Sequence, residues 1–176
     1  MPTRRALIVT LGMLALFACT PAHPQRRFLP SSGWVSDFAN VLDSDTQKRL
    51  TVMAQELDQK THAQIAVVTV ESLGGLPIER YALALFNEWG IGYKGDNCGV
   101  LILLAISDHQ WRIETGRGLE ALLPNERVGR IGDRMLPDLQ HGDYSKAVLN
   151  TASEIATVIA VNRKVILTHV DQRSAI

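Results

Sequence analysis

The chain has 176 residues, with 18 Lys and Arg against 18 Asp and Glu, so its formal net charge is zero. That balance, with no basic patch interleaved with aromatics, argues against nucleic acid as a partner. Of its 2 cysteines, Cys19 falls in a leader-like segment and Cys98 is left alone, which excludes an internal disulfide framework.

The first residues read as targeting rather than fold. Arg4 and Arg5 precede an apolar stretch at residues 6–18, too short for a comfortable membrane span of roughly 20 residues and typical of a secretory leader. Leu16-Phe17-Ala18-Cys19 is similar to the lipobox of bacterial lipoproteins, in which the cysteine is acylated and becomes the mature N-terminus. Cys19 is then a lipid anchor. Ordinary cleavage near Ala18 or Ala22, with Cys19 discarded, is the alternative. Either route puts the domain outside the cytoplasm, on the periplasmic side. Residues 20–33, rich in Pro, Arg and Ser, read as a linker holding one domain off the membrane.

Along that domain, helix and strand signals alternate. Residues 46–60 carry Leu50, Met53, Ala54 and Leu57 at helical spacing, and Ser44 with Gln47 forms a capping box. Residues 64–70, Gln-Ile-Ala-Val-Val-Thr-Val, are nearly continuous in apolar character, the pattern of a central strand covered on both faces. After Gly74-Gly75-Leu76, Pro77 opens a helix in which Ile78, Tyr81, Ala82, Leu85, Phe86 and Trp89 share a face, ended by Gly90 and Gly92. Residues 99–106 and 111–115 are strands separated by a break too short for a crossover helix, so they pair antiparallel. Two more helices fit residues 126–136, stopped by Pro137, and residues 144–161. Residues 162–176 read as a frayed tail. Three strands inside four helices predict a three-layer α/β/α sandwich with a small mixed central sheet.

Ligands in such sheets sit at strand ends beside glycine turns or helix N-termini. Two polar clusters flank the antiparallel pair: Lys94-Gly95-Asp96-Asn97-Cys98-Gly99 enters its first strand, and Glu114-Thr115-Gly116-Arg117-Gly118-Leu119-Glu120 leaves its second. Side by side, they can converge on one site. Glu114 with Arg112 reads as a pair on the solvent face of a strand. Cys98 reads as a small semi-buried hydrophobe, since no His and Asp are dedicated to activating it. His109 reads as an exposed loop residue. Trp34, Trp89 and Trp111 read as core or sheet-covering aromatics.

Several spaced motifs occur in a familiar order: Val35-x-Asp37-x-Ala39, Ile78-Glu79-x-Tyr81-Ala82 leading to Trp89-Gly90-Ile91-Gly92, Gly99-Val100-Leu101-x-Leu103, Arg112-Ile113-Glu114-x-Gly116-x-Gly118-Leu119-Glu120, and Gly142-Asp143-Tyr144. Together they resemble the TPM domain family, over residues 34–161. The resemblance implies an α/β/α sandwich that is secreted or membrane-tethered. Thylakoid-lumen members look like acid phosphatases and assist photosystem II repair, while others bind calcium or similar ions. It also implies an acidic metal site at Asp37, Asn97 and Glu120, with Asn125 standing where relatives carry Asp and Cys98 where many carry Asp or Asn. Hard oxygen ligands of this kind suit calcium or magnesium. An ion there would polarise a phosphate for attack by water, with Asp37 or Glu120 orienting that water and Arg117 binding a phosphate oxygen.

Each of these residues also has a plainer reading. Asp37 can cap a local turn, Glu120 can cap a helix start, and Arg117 can be a surface charge. Two functions therefore stand. One is a tethered, divalent-ion-binding module that assists assembly or quality control of membrane proteins, its partners being membrane proteins or their complexes. The other is a divalent-ion-assisted phosphatase acting on small phosphate monoesters. The thinned acidic cluster, without a recognisable nucleophile and base, favours the first.

Overall fold

The computed structural model describes Phe28 and residues 30–170; the leader, Cys19 and part of the 20–33 linker lie outside the described residues. A single sheet of four strands runs in the order β1 (Val35–Asp37), β2 (Gln64–Val70), β3 (Gly99–Ala105) and β4 (Gln110–Thr115). β1, β2 and β3 are parallel, and β4 pairs antiparallel with β3. The expected hairpin and mixed sheet are present, with one strand more than the sequence pattern gives. β1 is an edge strand of 3 residues, too short to show a period, and pairing with β2 is what makes it a strand.

Side-chain alternation divides β2 and β3 cleanly between two cores. Ile65, Val67, Val100, Ile102 and Leu104 meet α1 (Ser44–Thr61) and α5 (Tyr144–Arg163) on one face. Ala66, Val68, Leu101 and Leu103 meet α2 (Ile78–Trp89) on the other. Both faces are covered, so these strands carry apolar residues at nearly every position. The first layer is completed by α3 (Asn125–Asp133) and the short α4 (Leu136–Gln140). The connections through α1 and α2 step in the same direction across the sheet but lie on opposite faces. They therefore have opposite hands, and one departs from the right-handed rule for parallel crossovers. Strand order never reverses along the parallel strands, so the sheet lacks the topological switch point that marks the crevice of doubly wound folds.

Three expectations change at helix ends. The N-cap of α1 is Asp43, whose carboxylate accepts from the Thr46 N–H and hydroxyl, each at 2.8 Å; Ser44 is the first helical residue. The Gln47 amide turns instead to the Leu42 carbonyl at 3.0 Å. Pro137 does not stop a helix; it lies in the first turn of α4, where its missing N–H costs no hydrogen bond, and α3 has already ended at Asp133. Residues 162–170 are docked rather than frayed, and residues 171–176 lie outside the described residues. α5 runs to Arg163, Lys164 takes the left-handed capping conformation, and Leu167 is buried in the first core.

The docked tail is held by the buried carboxylate of Glu56 on α1. It accepts from the Thr168 N–H (2.8 Å) and hydroxyl (2.8 Å), the His169 N–H (2.9 Å) and the Lys60 ammonium (2.7 Å). The His169 ring Nδ1 lies 2.9 Å away. Burial alone would raise this carboxyl, but the hydrogen bonds from Lys60, Thr168 and His169 outweigh it and hold Glu56 well below the usual carboxylate range. A depressed folded value means the stabilisation is complete above the unfolded glutamate value of about 4.3 and is lost as the pH falls below it. Glu56→Gln is expected to speed hydrogen exchange of the Thr168 and His169 amides at least ~10-fold and to lower unfolding free energy by about 2 kcal/mol. Exchange rates equal to those of the parent chain would show that the tail is held by something else.

Candidate functional site

Register places the implied metal ligands at two ends of the sheet. Asp37 pairs with Thr69, and Thr69 with Leu104, so Asp37 lies beside the C-terminal ends of β2 and β3. Asn97 precedes Gly99, which pairs with Gln64 at the N-terminal end of β2. The exit of β4, leading to Arg117 and Glu120, adjoins this second end, because Thr115 pairs with Val100. Thr69 and Gln64 are five residues apart along β2, which is about 16 Å at ~3.3 Å per residue. Asn97, Arg117 and Glu120 come together; Asp37 does not join them.

The Asp37 carboxylate is occupied by its own fold. One oxygen accepts from the Val41 N–H at 3.1 Å and from the Thr69 hydroxyl; the other accepts from the Leu42 N–H at 2.9 Å and the Gln47 amide at 3.3 Å. This is the turn-capping reading of Asp37, extended across to β2 and α1.

At the other end, the β4 exit and α2 enclose a half-open cleft of about 340 Å³. Leu83, Phe86 and Asn87 of α2 form one wall. Asn97, Glu114, Thr115, Arg117 and Glu120 form the other. The second wall is fixed backbone against backbone. Gly116 N–H donates to the Gly99 carbonyl at 2.8 Å, and Gly118 N–H to the Asn97 carbonyl at 3.2 Å. A Cβ on Gly116 would collide with the Asn97 carbonyl, and one on Gly118 with the Asp96 carbonyl and the Cys98 sulfur. The Gly-x-Gly spacing is therefore a packing requirement, and it holds Arg117 between the two contacts and Glu120 just beyond, at the end of a 3-10 turn, Arg117–Leu119. Asn97 completes the junction in the left-handed region, with φ of 48°, which asparagine tolerates better than most residues.

The polar groups of the cleft differ in how far they are already engaged. Glu114 accepts a side-on pair from Arg112, with Nε and Nη2 both at 3.1 Å, as the sequence pairing suggests. The Thr115 hydroxyl oxygen is buried and has no hydrogen-bond partner among the described residues. Asn87, Asn97, Arg117 and Glu120 are exposed. Asn125 opens α3 in solvent and does not line the cleft. Cys98 is buried, with its thiol 3.5 Å from the Asp96 carbonyl and the Arg163 guanidinium 3.8 Å away, so it is a packing residue of the junction. The sequence reading missed the α2 wall. Leu83 and Asn87, four residues apart on a helix whose buried face lies elsewhere, were its only trace.

Calcium takes about six to eight oxygen ligands. The cleft offers the free carboxylate of Glu120, the amide oxygen of Asn97 and a Glu114 already paired with Arg112, beside the positive Arg117. Among the described residues, no group of three His, Cys, Asp or Glu converges as a metal site. This donor set does not fit a tightly held resident ion.

A three-layer α/β/α domain with a polar cleft at the exit of its antiparallel strand is thus defined. The sequence matches the family model described as the TPM domain over residues 35–158. The chain belongs to the TPM domain family. Among solved structures, the N-terminal domain of a protein from P. gingivalis is 30% identical, with a TM-score of 0.70 over 76% of this chain and 86% of that one. The N-terminal domain of the cg2496 protein from Corynebacterium glutamicum is 14% identical, with a TM-score of 0.56 over 78% of this chain and 84% of that one. The BA42 protein from the psychrophilic bacterium Bizionia argentinensis is 14% identical, with a TM-score of 0.59 over 73% of this chain and 92% of that one. These last two share the fold. No curated protein matches the sequence.

Gly116→Ala tests the backbone junction. The added methyl group meets a carbonyl that cannot move without displacing residues 96–99, so a loss of about 2 to 4 kcal/mol is expected in urea unfolding. A loss under ~0.5 kcal/mol would mean that the two loops are not packed as described.

Proposed function

We propose that this chain is a membrane-tethered, extracytoplasmic TPM module that recognises membrane-protein partners through the α2–β4 cleft and assists their assembly or quality control. The observation that carries the reading is a rigid cleft presenting Asn87, Asn97, Arg117 and Glu120 to solvent. Mixed donors, acceptors and both charge signs on fixed backbone are the means of recognising a polar surface. Among the described residues, the cleft lining contains no His, Lys, Cys or Ser, and its threonine hydroxyl is buried. Nothing in it forms an activated nucleophile with a base.

One contact bears on where a tether would hold the domain. Phe28 packs edge-on against Tyr81 of α2, with ring centroids 4.9 Å apart. Phe28 thus lies against the α2 layer, which also forms one wall of the cleft. Nine residue steps reach about 30 Å at most. A lipid on Cys19 would keep the cleft near the bilayer and raise the local concentration of membrane partners. A divalent ion has only a weak place in this reading, with occupancy in the ~10⁻⁴ to 10⁻³ M range of the weakest protein calcium sites.

Photo-crosslinkers placed at Asn87 and at Lys48, on the far side of the domain, test the reading in intact cells. Membrane-protein adducts are expected from position 87, with at least a ~5-fold loss on adding Glu120→Ala and Arg117→Ala. Equal adducts from both positions would remove the cleft from the account. The phosphatase reading draws on Arg117 and Glu120 sharing one cleft. Ion-dependent hydrolysis of a phosphomonoester by the mature protein, abolished in both alanine variants, would put that reading in place of the module.

A further inference from the structure

A second cavity lies at the opposite end of the sheet from the α2–β4 cleft and on its other face. It has a volume of about 330 Å³, between the tip of the β3–β4 hairpin and α4. Its floor is apolar, formed by Leu104 at the end of β3, Trp111 of β4 and Leu139 of α4, with Tyr144 at the start of α5. Its mouth carries His109, Gln110 and Gln140.

The cavity follows from how this corner is built. α4 has only 5 residues and buries none of them, and Leu136 remains 39% exposed. The helix is tied to α5 by the Lys146 ammonium on the Asp138 carboxylate at 2.6 Å, while the His141 ring closes back on the Pro137 carbonyl of the same turn at 2.6 Å. Gly132 of α3 lies directly against the Trp111 ring, where any Cβ would collide. That contact fixes the indole as a wall rather than letting it fill the space.

We propose that this cavity binds a small uncharged molecule with an aromatic body of one or two rings and one polar substituent. Size sets the first limit, since 330 Å³ is at the small end of ligand pockets, which run from about 300 to 1,000 Å³. Charge sets the second. Among the described residues, the lining includes no Asp, Glu, Lys or Arg, so an ionised ligand would lose its hydration without gaining a counter-charge. The walls set the third. Trp111 and Tyr144 offer aromatic surface, while the His109 ring, the two amides and the Tyr144 hydroxyl stand around the mouth and can hydrogen-bond a hydroxyl or carbonyl group. Nothing in this site depends on the cleft described above.

The test is a titration of the ¹⁵N-labelled mature protein with 2-naphthol and with indole, followed by amide and indole N–H shifts. The expected result is saturable shifts at Gln110, Leu139, Gln140 and the Trp111 indole, with Kd below ~1 mM, and at least ~10-fold weaker binding of the anionic naphthalene-2-sulfonate. Leu139→Trp, which fills the floor, and Gln140→Trp, which covers the mouth from an exposed position, should each abolish the shifts. Equal binding of the sulfonate would overturn the uncharged-ligand assignment. No saturable shift in a folded spectrum, shifts that persist in a folded Gln140→Trp variant, or shifts centred on Asn97 and Glu120 would overturn the site.

Discussion

The Asp37 carboxylate is the fastening on which the edge of this domain depends. Its oxygens accept from the backbone of Val41 and Leu42, from Gln47 of α1 and from Thr69 of β2. β1 has only 3 residues and cannot hold its place by ladder hydrogen bonds alone. One charged side chain therefore joins the edge strand, the turn after it, the first helix and the second strand. Hydrogen bonds to an ionised acceptor are about twice as strong as neutral ones, which suits a single carboxylate to this task.

With that edge secured, the two ends of the sheet are free to differ. At the N-terminal end of β3, Gly116 and Gly118 press their backbone onto the carbonyls of Asn97 and Asp96, and the result is a polar cleft with charges of both signs. At the C-terminal end, a short helix with no fully buried residue borders an apolar cavity without charge among its described lining residues. The walls of both openings are held by the Gly116 and Gly118 backbone contacts at one end and by the Gly132–Trp111 contact and the Lys146–Asp138 ion pair at the other.

Much of the fold was legible in the sequence because periodicity reports burial directly. β2 and β3 carry apolar residues on both faces, and the break at residues 107–110 allowed only an antiparallel return. What escaped was local competition for the same donors. Ser44 and Gln47 have the spacing of a capping box, but the stronger acceptor Asp43 takes the Thr46 amide and Gln47 turns back toward Leu42 and Asp37. The tail at residues 162–170 looked unpatterned because its anchor, Glu56, lies more than a hundred residues away in the chain. The site was legible by half. Asn97, Arg117 and Glu120 flank strands known to be neighbours, whereas the position of Asp37 depended on which end of β2 its strand would meet, and a strand of 3 residues carries no register of its own. Asn87 and Leu83 came from a helix whose place over β4 only the assembled layers reveal.

The central claim is that Asp37 belongs to the fold and Glu120 to recognition. Urea unfolding of Asp37→Asn and Glu120→Gln compares the two directly. The account predicts a loss of about 2 to 4 kcal/mol for Asp37→Asn, whose amide turns a donor toward groups that already donate, and less than ~0.5 kcal/mol for Glu120→Gln. A neutral Asp37→Asn with a strongly destabilised Glu120→Gln would contradict it and return Asp37 to the functional site.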